Sequence, residues 1–198
     1  MKEIKKSFIA TKALDKQADD GLWFIATCET VDSVGDVVIT SGVDYSDYHN
    51  PPSSYLKILA GHTHMLADGS PAIVGRAEEF VLGSTICEGK SVPALYVRMT
   101  WAKDGNGNYT DLAMKYKGLF DGGYLDSFSI GMFVTESVKN KTGGIDIQKS
   151  SLYEVSAVAV PALARANAVK AVEEALGIKV AEANDNEERL KEMVSGEV

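Results

Sequence analysis

The sequence is poor in the residues that most often carry catalysis, metal binding or cross-linking. It has only three histidines and two cysteines among 198 residues. Cys28 and Cys87 do not have a metal-ligand spacing, and we expect both to be reduced thiols of a cytosolic protein. The histidines are His49, His62 and His64, so an imidazole base has few candidates.

Excess positive charge and long apolar runs are also lacking. The formal net charge is -8, which argues against a general nucleic-acid-binding protein. No apolar run is long enough to cross a bilayer, and none follows the basic residues at positions 1–6, so we predict neither a membrane span nor a signal peptide. The hydrophobic content of 45% is typical of a globular domain.

Composition divides the chain into three parts. Residues 1–20 are polar and predict an extended or partly ordered lead-in, and residues 21–178 have the patterning of one folded domain. An amphipathic helix is expected over residues 166–176, near the end of that domain. Residues 179–198 are rich in Ala, Asn and Glu and predict a flexible acidic tail.

Short apolar runs separated by turn residues dominate the middle of the chain. Candidate strands cover residues 22–31, 37–40, 73–82, 92–101, 125–133, 145–149 and 152–160. A helix is expected over residues 109–120, and a hairpin-like turn over residues 139–144. About seven short strands predict a mainly β (α+β) domain: a closed or nearly closed β-barrel flanked by helices. Closure would also protect the strand edges from pairing with other chains.

The predicted strand over residues 125–133 contains a candidate nucleophile. Its alternation places Ser127, Ser129 and Gly131 on one face. A small hydroxyl followed by glycine leaves room for a substrate backbone to approach. Serine needs a neighbouring base and a third group that orients this base. The alternative interpretation is that Ser129 is an ordinary strand hydroxyl.

Candidates for the base and the orienting group lie on either side of this serine. His62 and His64 precede it, and Glu154 follows within the apolar run over residues 153–160. A carboxylate in such a run needs a partner or water, because burying it alone costs several kcal/mol. Alternatively, Glu154 faces solvent from an edge strand.

The spacing of His62 and His64 also allows other interpretations. In an extended segment, side chains two residues apart lie on the same face. One interpretation is therefore that the two histidines bind a metal ion together. No third ligand lies at a recognisable spacing, and Asp68 is only a weak candidate. The default interpretation is that both histidines are ordinary loop residues.

Six short motifs occur in one order along residues 20–170. They lie at residues 32–36 with 41–42, 59–62, 73–76, 127–131, 152–156 and 160–162. In combination they resemble the prohead (capsid maturation) serine proteases of tailed bacteriophages, a family related to the herpesvirus capsid-maturation proteases, the assemblins. The resemblance implies a herpesvirus-protease-like fold.

The resemblance assigns roles to three residues. Ser129 would be the nucleophile, His62 the base and Glu154 the group that orients the base. The family histidine is often followed by Asp, whereas Thr63 and His64 follow here. Since the herpesvirus relatives use a second histidine in place of the acid, His64 stays open as an alternative base or third member.

The remaining site assignments are less specific. His49 is a remote third option for the base. Backbone N–H groups of Gly75–Arg76 or of Gly131 are candidates for stabilising the oxyanion. The chemistry requires no metal and no organic cofactor.

The implied function is that of a serine endopeptidase of phage prohead maturation. Such enzymes act inside the assembling procapsid in the host cytoplasm, where they cleave scaffold protein or the scaffold segment of the major capsid protein, and also themselves. We expect a possible homo-oligomer, and no nucleic-acid or membrane partner. The acidic tail is a candidate for self-processing.

Two alternatives remain open. The chain could be a catalytically inactive capsid-assembly or scaffold-associated protein with the same fold. It could also be an unrelated esterase, although the context of Ser129 lacks the G-x-S-x-G elbow of that class.

Overall fold

The computed structural model describes residues 2–9, 21–48 and 55–159. Strands dominate these residues, together with one α-helix and two short 3₁₀ helices, at Thr40–Gly42 and Ser46–Tyr48. The elements are β1 (Lys2–Ile9), β2 (Leu22–Cys28), β3 (Val37–Val38), β4 (Val43–Asp44), β5 (Lys57–Ala60), β6 (Ile73–Cys87), β7 (Lys90–Trp101), α1 (Asp111–Asp121), β8 (Ser127–Lys139) and β9 (Ile145–Val158).

Most predicted elements are confirmed, with shifted ends. β2 is buried along its whole length, as its apolar and aromatic sequence requires. α1 begins after Thr110, whose side chain accepts a hydrogen bond from the Ala113 N–H, and Gly122 caps its end. The two strands predicted over residues 145–160 are one continuous strand, β9, because irregular pairing with β8 is absorbed by bulges rather than by a break.

The predicted closed or nearly closed barrel, which the resemblance to the herpesvirus proteases also implied, is wrong. The nine strands form a single sheet with the order β1-β8-β9-β5-β6-β7-β2, and β3 and β4 pair with β9 outside this path. Its end strands, β1 and β2, each pair on one side only, with β8 and β7 respectively. No hydrogen-bonded ladder joins β1 to β2 among the described residues, so the sheet is open.

Side-chain packing holds the curled sheet together where a closing ladder is absent. Phe24 on β2 stacks on Phe128 of β8 with ring centroids 3.9 Å apart. The ring of Phe120, at the end of α1, also stacks on Phe128, with ring centroids 5.1 Å apart. One face of the sheet therefore forms the core, which α1 helps to cover, and we call the opposite face the outer face. Counting candidate strands in the sequence does not tell whether the two end strands of the sheet pair with each other.

The centre of the sheet is the hairpin of β8 and β9 together with β5. β8 and β9 are antiparallel, and the predicted turn over residues 139–144 connects them. β5 runs parallel to β9 on its other side, with Ile58 opposite Val155. Three chain segments far apart in sequence are thus fixed side by side, and these segments carry the candidate catalytic residues.

Several sequence-based expectations fall wholly or partly outside the described residues. They include His49, the helix over residues 166–176 and the acidic tail over residues 179–198. The segment expected to be a polar lead-in contains β1, which pairs with β8, and residues 10–20 are not described. Cys28 and Cys87 are free thiols, and burial raises the pKa of Cys28. Within the described ranges, none of the helices has the length and apolarity required to cross a membrane.

Candidate active site

Glu154 lies in the interior of the sheet and not at an edge. It is on β9, between β8 and β5, and its side chain is 1% exposed. Gly131 of β8 is its cross-strand partner. The solvent-facing alternative for Glu154 is therefore excluded, and the carboxylate must be satisfied by protein groups, because desolvating it alone costs several kcal/mol.

His62 reaches this carboxylate from the turn that follows β5. Gly61 and His62 both have left-handed backbones, with φ of 62° at each. The turn is tied to the sheet because Gly61 N–H donates to the Ala157 carbonyl and Thr63 N–H donates to the Ala60 carbonyl. A left-handed histidine is uncommon and mildly strained, so the surrounding hydrogen bonds specify its position.

The imidazole of His62 and the carboxylate of Glu154 form a hydrogen-bonded pair. His62 Nδ1–H donates to Glu154 Oε1. Because an ionised carboxylate can only accept, this contact places the proton of a neutral ring on Nδ1 and leaves the Nε2 lone pair available. The tautomer is the one that a histidine needs to act as a general base through Nε2.

Ser156 is a member of the site that the sequence interpretation did not single out. Its hydroxyl donates to Glu154 Oε1 over 2.9 Å, and the side chain is fully buried. The signal was present in the sequence: residues i and i+2 of a strand share a face, and a serine two residues after a buried acid is well placed to satisfy it.

His64 occupies an outer position near the same carboxylate. Its Nε2 is 3.7 Å from Glu154 Oε2, beyond normal hydrogen-bond length. Its side chain is 69% exposed, compared with 26% for His62. The geometry therefore favours His62 as the oriented imidazole and leaves His64 as a more loosely placed neighbour.

Ser129 lies one strand away from this pair, on the same outer face. It is directly opposite Ser156 in the ladder between β8 and β9. Side chains opposite each other in antiparallel strands share a face, with Cβ atoms about 4.5–5.5 Å apart. Ser129, Ser156, Glu154 and His62 thus form a chain of neighbours across β8, β9 and the turn after β5.

The space next to Ser129 is filled, contrary to the expectation of an open patch at Gly131. A Cβ atom at Gly131 would be 2.8 Å from Tyr153 Cζ and 2.9 Å from Glu154 Cβ. The Tyr153 ring lies over this glycine and stacks on Phe133 with centroids 4.4 Å apart. Ser129 itself is fully buried. Glycine at position 131 makes room for the tyrosine ring.

The other candidate groups lie apart from Ser129. Gly75 and Arg76 are on β6, separated from β8 by β5 and β9. Asp68 accepts hydrogen bonds from the hydroxyl and N–H of Ser70, which lower its pKa and fix it within the turn after His64. In the part of the chain that the structure describes, no group of three His, Cys, Asp or Glu side chains is arranged to hold a metal ion.

Comparisons of this chain with protein-family models, with curated proteins and with solved structures found no match. The functional argument therefore depends on the site itself.

Proposed function

We propose that this chain is a serine endopeptidase in which Ser129 is the nucleophile, His62 the general base and Glu154 the residue that orients the base. The observation that carries the proposal is the hydrogen bond from His62 Nδ1 to the buried Glu154 carboxylate. The position of Ser129 beside this pair, opposite Ser156, gives further support.

The reaction would be an acyl transfer. The Ser129 hydroxyl oxygen attacks the peptide carbonyl carbon while His62 Nε2 takes the hydroxyl proton. The imidazolium then gives this proton to the leaving amine as the C–N bond breaks, and water releases the acyl group by the same steps in reverse. Glu154 holds the imidazole in the required tautomer and offsets its positive charge.

Substrate and location follow from the sequence resemblance. We propose that the enzyme acts in bacteriophage prohead maturation, inside the assembling procapsid in the host cytoplasm. Its substrates would be scaffold protein or the scaffold segment of the major capsid protein, and the enzyme itself. The supporting residues are the motifs around Ser129, His62 and Glu154, in the order expected for that family.

Labelling with a serine-directed fluorophosphonate tests the nucleophile. Wild type should be labelled at one site, and Ser129→Ala and His62→Ala should abolish labelling. Ser127→Ala is the matched control, because Ser127 is also buried on the outer face of β8. His64→Ala should retain most of the labelling. Equal labelling of wild type and Ser129→Ala would overturn the assignment.

Incubation with the cognate capsid or scaffold protein tests the substrate. Wild type should produce defined fragments in mass spectrometry, and Ser129→Ala should produce none. Fragments identical in both samples would show that another activity is responsible.

The second candidate function is that of a catalytically inactive capsid-assembly or scaffold-associated protein. The full burial of Ser129 beneath its neighbours favours it, because a nucleophile must reach its substrate. An inactive protein would bind the capsid or scaffold protein without cleaving it, and Ser129 would stay unlabelled in the bound state.

A further inference from the structure

A second feature of the outer face lies beside the candidate site, on β5, β6 and β7. It is a groove of about 660 Å³, which we call the cationic groove. Its lining residues are Tyr55, Lys57, Ile73, Gly75, Arg76, Glu78, Arg98, Thr100, Trp101, Ala102 and Lys103. We propose that the cationic groove is a specificity subsite that binds an acidic side chain of an extended peptide substrate. Its role in cleavage rests on the proposed function.

The charge of the groove is opposite to that of the chain. Four of its lining residues are cations and one, Glu78, is a carboxylate, whereas the chain has a net charge of -8. A positive concavity on an acidic protein attracts anionic groups. An anionic ligand therefore fits the groove better than a neutral one.

The groove is continuous with the candidate site across the strands. Lys57 directly precedes Ile58 on β5, and Glu154 directly precedes Val155 on β9. Because Ile58 and Val155 are paired in the parallel ladder, Lys57 and Glu154 are neighbours on the outer face. Arg76 is paired with Lys57 on the next strand, and Thr100 with Arg76 on the strand after that. A peptide crossing these strands from Ser129 would pass directly into the groove.

The distance from Ser129 to the cationic groove determines which residue of the substrate would carry the acidic side chain. Ser129, Ser156, Leu59 and Ile73 are successive cross-strand partners, and Ile73 lines the groove. Three strand spacings are about 14 Å, the length of about four extended residues. We therefore expect the acidic residue about four positions from the scissile bond.

Contacts within the groove orient the Arg76 guanidinium so that it can bind a carboxylate. Its guanidinium lies 4.2 Å from the centre of the Tyr55 ring and its Nε is 2.7 Å from Glu78 Oε1. Glu78 also accepts a hydrogen bond from the Thr100 hydroxyl over 2.8 Å. These contacts fix the planar guanidinium, whose remaining N–H groups can bind a carboxylate in a fork. Glu78 within the groove would repel a continuous phosphate backbone, which favours a peptide over a nucleic acid.

A binding experiment tests the groove without any cleavage. The full chain carrying Ser129→Ala is titrated into a fluorescein-labelled octapeptide of alternating threonine and glutamate, or into the same peptide with glutamine for glutamate. The glutamate peptide should bind about tenfold more tightly at low ionic strength, and the difference should shrink as salt is added. Equal binding of the two peptides would overturn the proposal.

Charge variants locate the binding. Arg76→Gln and Lys57→Gln should each weaken binding of the glutamate peptide about five- to tenfold and leave the glutamine peptide unchanged. Glu78→Gln should strengthen it, because it removes the carboxylate that competes for Arg76. Lys115→Gln, an exposed change on α1 with the same loss of charge, should have no effect. The opposite sign for Glu78→Gln separates a charge effect from general misfolding, which would weaken binding in every variant.

Three results would contradict the proposal. They are an Arg76→Gln effect no larger than that of Lys115→Gln, weaker binding in Glu78→Gln, and an oligothymidine that binds at least as tightly as the glutamate peptide. The last result would assign the groove to nucleic acid.

A cleavage experiment separates this inference from the proposed function. Wild type is incubated with a diverse peptide library, and the products are identified by mass spectrometry. Enrichment of Glu or Asp about four residues from the cut, lost in Arg76→Gln, supports the subsite. Cleavage without this enrichment overturns the subsite and leaves the endopeptidase standing. Selective binding of the glutamate peptide without cleavage of any library peptide supports the groove and counts against the endopeptidase.

Discussion

Glu154 has the most demanding environment of any side chain in the site. Its carboxylate is removed from solvent, and Oε1 accepts hydrogen bonds from both His62 and Ser156. Such bonds to a charged group are stronger than those between neutral groups, and they offset the cost of burial. A buried, hydrogen-bonded carboxylate that orients an imidazole is typical of catalytic triads.

Glu154→Gln tests this role with little change in shape. The amide can still bond to Ser156, but it no longer imposes the Nδ1–H tautomer on His62 or offsets an imidazolium. We expect kcat/KM to fall about 10³- to 10⁴-fold, while the far-UV circular dichroism spectrum is retained. Glu136→Gln, at an exposed residue paired with Lys149, is the control and should leave kcat/KM unchanged. A loss below tenfold in Glu154→Gln would contradict the orienting role.

The Tyr153 ring lies over the strand segment that carries Ser129, the proposed nucleophile. Its ring covers Gly131, two residues from the fully buried Ser129. Tyr153→Ala should therefore increase the rate of fluorophosphonate labelling of Ser129, measured by mass spectrometry over time. Tyr153→Phe keeps the ring and should label at the wild-type rate. Slower labelling in Tyr153→Ala would mean that the ring supports the site rather than covering it.

At the level of elements, the turn between β5 and β6 positions His62, the proposed base. Its hydrogen bonds to the carbonyls of Ala60 on β5 and Ala157 on β9 attach it to both strands. The sequence predicted only that His62 lies in a loop. The left-handed conformations of Gly61 and His62 and their backbone bonds fix the ring next to Glu154.

Gly61→Ala measures how far this turn depends on its conformation. A Cβ atom at Gly61 would have no atom within 4 Å, so only the positive φ opposes alanine. We expect the free energy of unfolding, from urea titration, to fall by about 1–2 kcal/mol. Gly105→Ala is the matched control, because that glycine is equally uncrowded but does not have a positive φ. Equal effects of the two substitutions would contradict the argument.

At the level of the whole molecule, aromatic packing takes the place of barrel closure. The rings of Phe24, Phe120 and Phe128 stack across the core and connect β2, α1 and β8. These contacts stabilise the curl of an open sheet, and they lie directly beneath the strand that carries Ser129. Stability of the fold and placement of Ser129 therefore depend on the same cluster of rings.

Phe128→Ala should destabilise the protein strongly. Phe128 is fully buried, and loss of its ring leaves a cavity, so we expect the free energy of unfolding to fall by about 3–5 kcal/mol. Phe133→Ala, on the outer face of the same strand and 36% exposed, should cost less than about 2 kcal/mol. Urea titration of the two variants provides the comparison. Similar losses in both would show that the stacked cluster has no special role.

Local sequence patterns predicted the elements well, because each depends on neighbouring residues. Alternation identified β8, and the turn residues over 139–144 identified the hairpin to β9. The sequence also indicated that Glu154 needs a hydrogen-bonding partner, because burying a carboxylate without one is costly. Ser156 was missed although its spacing of two residues from Glu154 on one strand indicated the contact. Tyr153 was missed because its position over Gly131 depends on a bulge between Gly131 and Met132.

The sequence by itself determined most of the strands, the helix and a short set of chemically capable residues, because period, capping and composition are local properties. Tertiary structure alone decided that the sheet stays open, that His62 rather than His64 makes the hydrogen bond to Glu154, and that Ser129 is opposite Ser156. These outcomes depend on strand order and register, which follow from the packing of segments separated by 92 residues in the case of His62 and Glu154. No local pattern contains that information.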